Sequence, residues 1–427
     1  MTSVEFDGDK YISGLDMFGI RLGLDNVKKL FAAAGHPERS LRFIHLAGTN
    51  GKGSTGAMLE CALRSAGLKT GFYTSPHLID VRERFRVNGR TVERELFNAE
   101  TERLAGLAGE VRGTYFEFVT VLAAMIFARE NCDVVIWETG MGGRLDATNV
   151  VTPEAAVITN IALDHQQHLG NTIAEIAGEK AGIIKPGVPL FYGELVPEAK
   201  EVILKRAAEN GSPAEGPLGP VADEFEAQEL DRGFIQKFMW DGRKIVLGLP
   251  GRMQRENFRI VYNVLKYFAE KWKFDLDTAL AGLSGCRWPA RLDKIGPRLF
   301  VDGGHNPDGI RALAASLKEL LPGEKFTVVF GAFKDKDVSG SLPLYRDIAS
   351  GFIMIPNFEE GRKCHTPEEL IAMANAFGFE ARSAASGKEA VDLALTRSDR
   401  VLVSGSLFLA GEVLEACGKI SHALHLA

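Results

Sequence analysis

Along the first half of this chain, short apolar runs alternate with longer stretches of helical periodicity. Phe43–Leu46, Thr70–Tyr73, Val134–Trp137, Ala155–Thr159 and Pro189–Tyr192 read as buried strands, mostly separated by helix-length segments. That alternation predicts an α/β fold with a largely parallel sheet. Ser54 to Ala66, with Ala57, Met58, Cys61, Ala62 and Leu63 apolar, suits a helix, and Phe116 to Ala128 is apolar nearly all round, which predicts a buried helix. From about Gly211 to Lys244 the chain turns polar and acid-rich, and an excursion of antiparallel strands and loops is expected. A second series, Leu299–Val301, Phe326–Phe330, Phe352–Ile355 and Val401–Val403, predicts a second α/β domain, with Pro289 and Pro297 bracketing a linker. The expected domains are 1–291 and 292–427.

Candidate chemistry gathers where the apolar runs end. Leu46-Ala47-Gly48-Thr49-Asn50-Gly51-Lys52-Gly53-Ser54-Thr55 is a glycine-rich turn between a strand and a helix. Backbone N–H groups in such a turn converge on phosphate oxygens, with Lys52 as cation and Ser54 or Thr55 as metal-facing hydroxyl, so a nucleoside triphosphate is the natural ligand. The generic G-x-x-x-x-G-K-[ST] pattern is not met, because Leu46 holds the first glycine position and Gly53 separates Lys52 from Ser54. A ligand-free βα turn is the competing reading. Glu138 closes the Val134–Trp137 run, where open α/β sheets bind ligands, and its carboxylate suits Mg²⁺; a solvated strand-end carboxylate is the bland alternative. His165 follows the next run and could ligate metal, although a lone histidine there is more often packed or at the surface. Thr74-Ser75-Pro76-His77 adds a hydroxyl at the same sheet edge.

Composition narrows the class of partner. The 427 residues allow two to four domains at about 100 to 200 residues each. A hydrophobic share of 45% and a charged share of 25% are ordinary for a soluble globular protein. The net charge of −6 gives no electrostatic case for nucleic acid, which leaves small molecules as the expected partners. Cys61, Cys132, Cys286, Cys364 and Cys417 show no C-x-x-C spacing, which argues against a zinc site or a disulfide framework and favours a reducing compartment. Acidic residues near the N-terminus and the lack of a membrane-length apolar run point to the cytoplasm.

Together these residues resemble the folylpolyglutamate synthase and dihydrofolate synthase family of Mur-type amide ligases. The resemblance runs nearly end to end. It is carried by Met17-Phe18-Gly19-Ile20-Arg21-Leu22-Gly23-Leu24, the Ala47–Ser54 loop, Tyr73-Thr74-Ser75-Pro76-His77-Leu78, Glu83-Arg84-Phe85-Arg86-Val87 and Thr114-Tyr115-Phe116-Glu117. Glu138 to Asn149, Leu163-Asp164-His165, Glu179-Lys180-Ala181-Gly182 and Asp302-Gly303-Gly304-His305-Asn306-Pro307 complete it. The family's phosphate loop looks like Gly-Thr-Asn-Gly-Lys-Gly-Ser, so the departure from the generic pattern supports the resemblance.

The resemblance implies a Mur ligase-like fold, with an N-terminal P-loop-type, mostly parallel sheet domain and a smaller C-terminal Rossmann-like domain. It implies that Ser75, Glu138 and His165 coordinate Mg²⁺ and that Thr49, Asn50, Gly51, Lys52, Gly53 and Ser54 hold ATP phosphates. Asn257, Arg291, Asp302 and His305 would also contact ATP, lying between the domains, with Lys52, His305 and a carbamylated Lys180 as the catalytic set. Arg21, Leu22 and Gly23, Thr114, Tyr115, Phe116 and Glu117, and Leu145, Asp146 and Ala147 would bind the pterin-bearing substrate. Tyr115 and Phe116 could equally be core. Met253, Gly304, Thr139 and Ala290 depart from the family's usual residues without removing an expected ligand.

The implied activity is ATP-dependent addition of L-glutamate to dihydropteroate and to folates through an acyl phosphate, giving ADP and phosphate, by a monomer. The Thr114–Glu117 segment tilts the acceptor toward both classes. Rival readings are a Mur-type ligase acting on a cell-wall precursor and a nucleotide-dependent switch; the chain carries no N-K-x-D guanine-reading signal.

Overall fold

A computed structural model describes residues 6–15, 23–111, 113–221, 224–231, 233–356, 363–397 and 400–418. It divides into two compact units: one comprises the chain through Pro220 with Asn257–Gly282, the other Val221–Glu256 with the chain from Leu283.

The first unit is built on eight strands: β1 Phe43–Ala47, β2 Thr70–Tyr73, β3 Phe85–Val87, β4 Arg90–Thr91, β5 Val134–Glu138, β6 Ala155–Ile158, β7 Leu190–Tyr192 and β8 Ala214–Glu215. Their order is β4-β3-β2-β5-β1-β6-β7-β8. The strands from β2 through β8 pair in parallel, and β3 and β4 add antiparallel pairs at one edge. The parallel alternation read from the sequence is therefore the observed one, with the runs displaced by a residue at most. Every residue of β1, β5 and β6 is buried, as a parallel strand covered on both faces requires.

The two faces are read from the period of two. On one side the Tyr115–Arg129 helix packs with Tyr73, Val135 and Trp137 in a single apolar cluster. On the other, Gly56 of the Lys52–Ser65 helix lies against Phe72 and Ile136, so close that a Cβ there would stand 2.4 Å from the Phe72 ring. The all-round apolar pattern of the Tyr115–Arg129 helix thus marks a buried element. Its start is fixed by a capping box, in which Thr114 accepts from the Glu117 N–H while the Glu117 side chain accepts from the Thr114 N–H.

The second unit holds two sheets. Strands β9 Phe225–Glu229, β10 Phe234–Trp240 and β11 Arg243–Leu247 form an antiparallel sheet, which is the expected acid-rich excursion. Strands β12 Asp293–Lys294, β13 Leu299–Val301, β14 Phe326–Phe330, β15 Ala349–Met354, β16 Ala381–Ser383 and β17 Val401–Ser404 follow the order β12-β13-β17-β14-β15-β16. All pairs in this sheet are parallel except β12 with β13. The expected linker between Pro289 and Pro297 is not a loose connection: Ala290 and Leu292 are fully buried, and Asp293–Lys294 is a strand of the second sheet. The helix Arg252–Trp272 passes from one unit into the other at Glu256–Asn257.

Candidate active site

Parallel pairing brings the C-terminal ends of β1, β2, β5 and β6 to one edge of the first sheet. The glycine turn, Thr74-Ser75, Glu138-Thr139 and Thr159-Asn160 leave the sheet there. Gly51 sits at φ +85°, a backbone conformation that favours glycine, and a Cβ on it would lie 2.7 Å from Asn257 Oδ1, so Asn257 adjoins the loop. A Cβ on Gly48 would strike Thr159 Oγ1 at 1.9 Å.

The loop is braced from β6 by residues that the sequence did not mark. Thr49 N–H donates to Asn160 O (2.9 Å) and Asn50 N–H to Asn160 Oδ1 (2.7 Å), while Thr159 Oγ1 donates to Asn50 O (2.6 Å). Two of the N–H groups expected to meet phosphate are thus spent on Asn160. The candidates to meet an anion are instead the N-terminal turn of the Lys52–Ser65 helix, whose first intrahelical donor toward Gly51 is Thr55 N–H, and Lys52. Lys52 Nζ donates to Gly48 O (3.0 Å) and stands 4.0 Å from Glu138 Oε1. Thr55 Oγ1 is buried without a partner.

Glu138 is buried at the end of β5 and accepts from Thr74 Oγ1 at 2.5 Å. Its second oxygen faces the lysine of the glycine turn, and the carboxylate is buried rather than solvated. This donor set fits Mg²⁺, which takes oxygen ligands, few of them from protein, and completes its shell with phosphates and water. No cluster of three His, Cys, Asp or Glu side chains occurs among the described residues, so any magnesium here would rest on one carboxylate with a hydroxyl and an imidazole. His165, at φ +50°, is exposed, with Nε2 3.9 Å from Asp164 Oδ2.

Lys180 lies in the Ile173–Ala181 helix and is 3% exposed, unlike an ordinary surface lysine. Burial, helped by Lys52 and opposed by Asp164 and Asp146, draws its ammonium down to about 7. A buried amine near neutrality has the chemistry of a nucleophile.

The expected substrate residues are mostly engaged in shaping their own segment. Asp146 caps the Ala147–Val150 turn: Oδ2 accepts from Met141 N–H (2.8 Å), and Oδ1 accepts from Thr148 N–H (3.0 Å) and Thr148 Oγ1 (2.5 Å). Burial still pushes its carboxyl upward. His45 Nε2 lies 2.9 Å from Thr148 Oγ1. Because that hydroxyl donates to Asp146, the histidine must donate to it, which leaves the buried His45 Nδ1 as an acceptor with no partner. Burial and Lys185 hold His45 at about 3, so it is neutral. Phe116 lies over Gly140, Tyr115 Oη and Glu117 Oε1 are buried without a hydrogen bond of regular geometry, Leu145 is half-buried and Ala147 is buried. Gly23 is described at φ +140°, whereas Arg21 and Leu22 lie outside the described residues.

In the second unit, Asp302 follows β13 and accepts from Leu292 N–H and Gly304 N–H, each at 2.8 Å. Burial raises its carboxyl despite Arg291. His305 Nδ1 lies 2.9 Å from Gly303 O, and because a carbonyl only accepts, Nδ1 carries a proton. Asn306 then caps the Pro307–Leu320 helix. Arg291 Nη1 donates to Ala290 O (2.8 Å).

Known proteins match the chain over most of its length. Residues 46–190 match the Mur ligase middle domain, and residues 290–407 match the Mur ligase glutamate ligase domain. The chain is 38% identical over 362 residues to the dihydrofolate synthase/folylpolyglutamate synthase of Bacillus subtilis, covering 80% of this chain and 83% of that one. Mycobacterium tuberculosis folylpolyglutamate synthase complexed with ADP superposes with a TM-score of 0.85 at 29% identity, covering 96% of this chain and 97% of that one. Escherichia coli FolC in complex with DHPP and ADP gives 0.82 at 30% identity, with coverage of 96% and 97%.

Proposed function

The chain belongs to the folylpolyglutamate synthase and dihydrofolate synthase family of Mur ligases, and from that premise we propose how its residues divide the work. It is an ATP-dependent ligase that adds glutamate to folates. The observation that carries the reading of the site is the buried Glu138, held by Thr74 beside Lys52 at the mouth of the glycine turn.

A carboxylate is a poor acyl donor until one of its oxygens becomes a leaving group. In the proposed course, the γ-phosphoryl of ATP passes to an acceptor carboxylate, breaking the bond to ADP and forming an acyl phosphate. The α-amine of L-glutamate then attacks the acyl carbon, phosphate leaves, and the amine loses a proton. Lys52 and the helix turn that follows it hold the phosphates, with Gly51, Gly53, Ser54 and Asn257 shaping that cradle. Glu138, Ser75 and His165 would hold Mg²⁺, which when bound neutralises charge on the transferring group. Arg291, Asp302 and His305 are proposed as the second unit's nucleotide contacts, and the catalytic contribution is mainly positioning and electrostatics.

Lys180 is proposed to be carbamylated: its neutral amine adds to CO₂, an N–C bond forms, and a proton leaves. Its lowered pKa supports that step. Asp146, Glu117 and the aromatic pair Tyr115 and Phe116 are proposed to take the pterin. Dihydropteroate and reduced folates are both proposed acceptors, used by a cytoplasmic monomer. Among the described residues no helix is long and apolar enough to cross a membrane.

The test is ADP release with Mg-ATP and L-glutamate in the presence of dihydropteroate, tetrahydrofolate or neither, with products identified by mass. Glutamylation of both supports the double assignment. Glutamylation of tetrahydrofolate alone removes dihydropteroate as an acceptor, and product with neither overturns the reading.

A further inference from the structure

Two sequence stretches have so far had no role: His77, after Ser75-Pro76, and Arg84, at the end of the Val81–Arg84 turn that leads into β3. The structure joins them. Arg84 Nε donates to His77 Nδ1 at 2.8 Å, and the guanidinium carbon lies 5.4 Å from the centre of the Tyr115 ring. Arg84 O accepts from Thr74 N–H (3.2 Å), and it is the Thr74 side chain that holds Glu138. Arg84 therefore sits between the residues assigned to the pterin and those assigned to the phosphoryl-transfer centre.

Arg84 is only 7% exposed, yet no carboxylate among the described residues lies within 4.0 Å of its guanidinium. The acids nearby are engaged elsewhere, save Glu117 Oε1, which has no partner and makes no ion pair with Arg84. Asp80 pairs with Arg82 (2.7 Å) and Arg94 (3.3 Å). Glu83 accepts from the N–H groups of Leu78, Ile79 and Asp80. Glu117 Oε2 is taken by Thr114, and Asp146 by Met141 and Thr148. His77 brings no countercharge, since its Nδ1 accepts the arginine's hydrogen bond and so carries no proton. A cation removed from water without an anion is costly, and it is retained where a partner arrives from outside. Tyr115 Oη, buried beside it, makes no hydrogen bond of regular geometry and interacts with the same guanidinium.

We propose that Arg84, aimed by His77 and stacked on Tyr115, is the binding site for a carboxylate of the pterin-bearing acceptor. The planar fork of a guanidinium matches two carboxylate oxygens; dihydropteroate carries such a group on its benzoate ring, and folates carry theirs on the glutamate. His77 is a positioning residue, because it fixes the guanidinium without meeting the ligand's charge. The inference rests on the ligase reading above.

The probes are 7,8-dihydropteroate and its carboxamide, which differ only in the charge of one group, with equilibrium binding measured by calorimetry in the absence of ATP. Arg84→Gln should weaken dihydropteroate about tenfold to a hundredfold, the size of a lost hydrogen bond to a charged group, and change carboxamide binding less than twofold. Arg84→Lys, which keeps the charge but not the fork, should fall between and also serves if the glutamine variant does not fold. Equal weakening of both probes by either variant, or a wild-type protein that binds the two equally, overturns the proposal. A wild-type enzyme that glutamylates neither acceptor would instead overturn the ligase reading, whereas active wild type with an unchanged probe preference in Arg84→Lys and Arg84→Gln sinks only this one.

Discussion

Lys180 shows how one side chain can link stability, pH and chemistry. Its ammonium is held at about 7 in the folded chain against 10.5 for an ordinary lysine, chiefly by burial and then by Lys52. Between those values the unfolded chain keeps a proton that the folded chain has released, so this residue favours folding more as pH rises through that window. In CO₂-free buffer, the urea-unfolding free energy of wild type minus that of Lys180→Met should therefore grow from pH 7 toward pH 10; a flat difference would mean that the amine is not held near neutrality. If the carbamate supports the magnesium ligands, Lys180→Ala should lose about tenfold to a hundredfold in ligation rate, the range for groups behind a metal site, and acetate should restore part of it. The chain from His45 through Thr148 to Asp146 makes a different demand. Thr148→Val strips an acceptor from a buried histidine and a donor from a buried carboxyl, so unfolding should become easier by about 1–3 kcal/mol in denaturant titration, with Thr148→Ser near wild type. Nothing in the sequence marked that chain, because His45 and Thr148 stand 103 positions apart and meet only when β1 is paired with β5.

Elements were legible where local pattern and tertiary role coincide. The run Val134–Trp137 is apolar because β5 is covered on both faces, and the Tyr115–Arg129 helix is apolar all round because it packs under the sheet. The phosphate turn was legible as a glycine pattern, but its bracing by Thr159 and Asn160 was not, since those residues belong to a different βα connection. Thr114 and Glu117 read in sequence as substrate residues, and the structure shows them also forming the capping box that starts the Tyr115–Arg129 helix. Thr114→Ala should cost about 1 kcal/mol of stability through the lost cap, and should raise the acceptor KM as well, because the cap fixes the first turn that carries Tyr115 and Glu117. Thr114→Ser should restore both; a restored stability with a still elevated KM would assign the threonine methyl, rather than the cap, to the substrate.

At the scale of the whole molecule, strand positions in both units could be read from periodicity, while the allocation of segments to units could not. Residues 221–256 belong with the second unit although they precede the Asn257–Gly282 return to the first, and no local pattern records which sheet a strand packs near. Net charge sets a different constraint. A chain at −6 whose substrates are a nucleoside triphosphate, a carboxylate acceptor and glutamate gains nothing from long-range steering, so the anions must be met by local cations and a metal. In the first unit Lys52 and the helix turn beginning there are proposed to meet the phosphates, and the buried Glu138 beside Lys52 adds a negative charge that a bound cation would help to offset. Nucleotide binding should therefore be lost with the metal rather than merely slowed. At 100 times its dissociation constant, Mg-ATP should add about 2.7 kcal/mol to the unfolding free energy. Excess EDTA should abolish that gain, and Glu138→Gln should reduce it, since the amide keeps the contact with Thr74 but binds a hard cation weakly. Stabilisation by ATP that persists undiminished in EDTA would show that Glu138 serves the lysine alone, and the metal assignment would fall while the phosphate cradle stood.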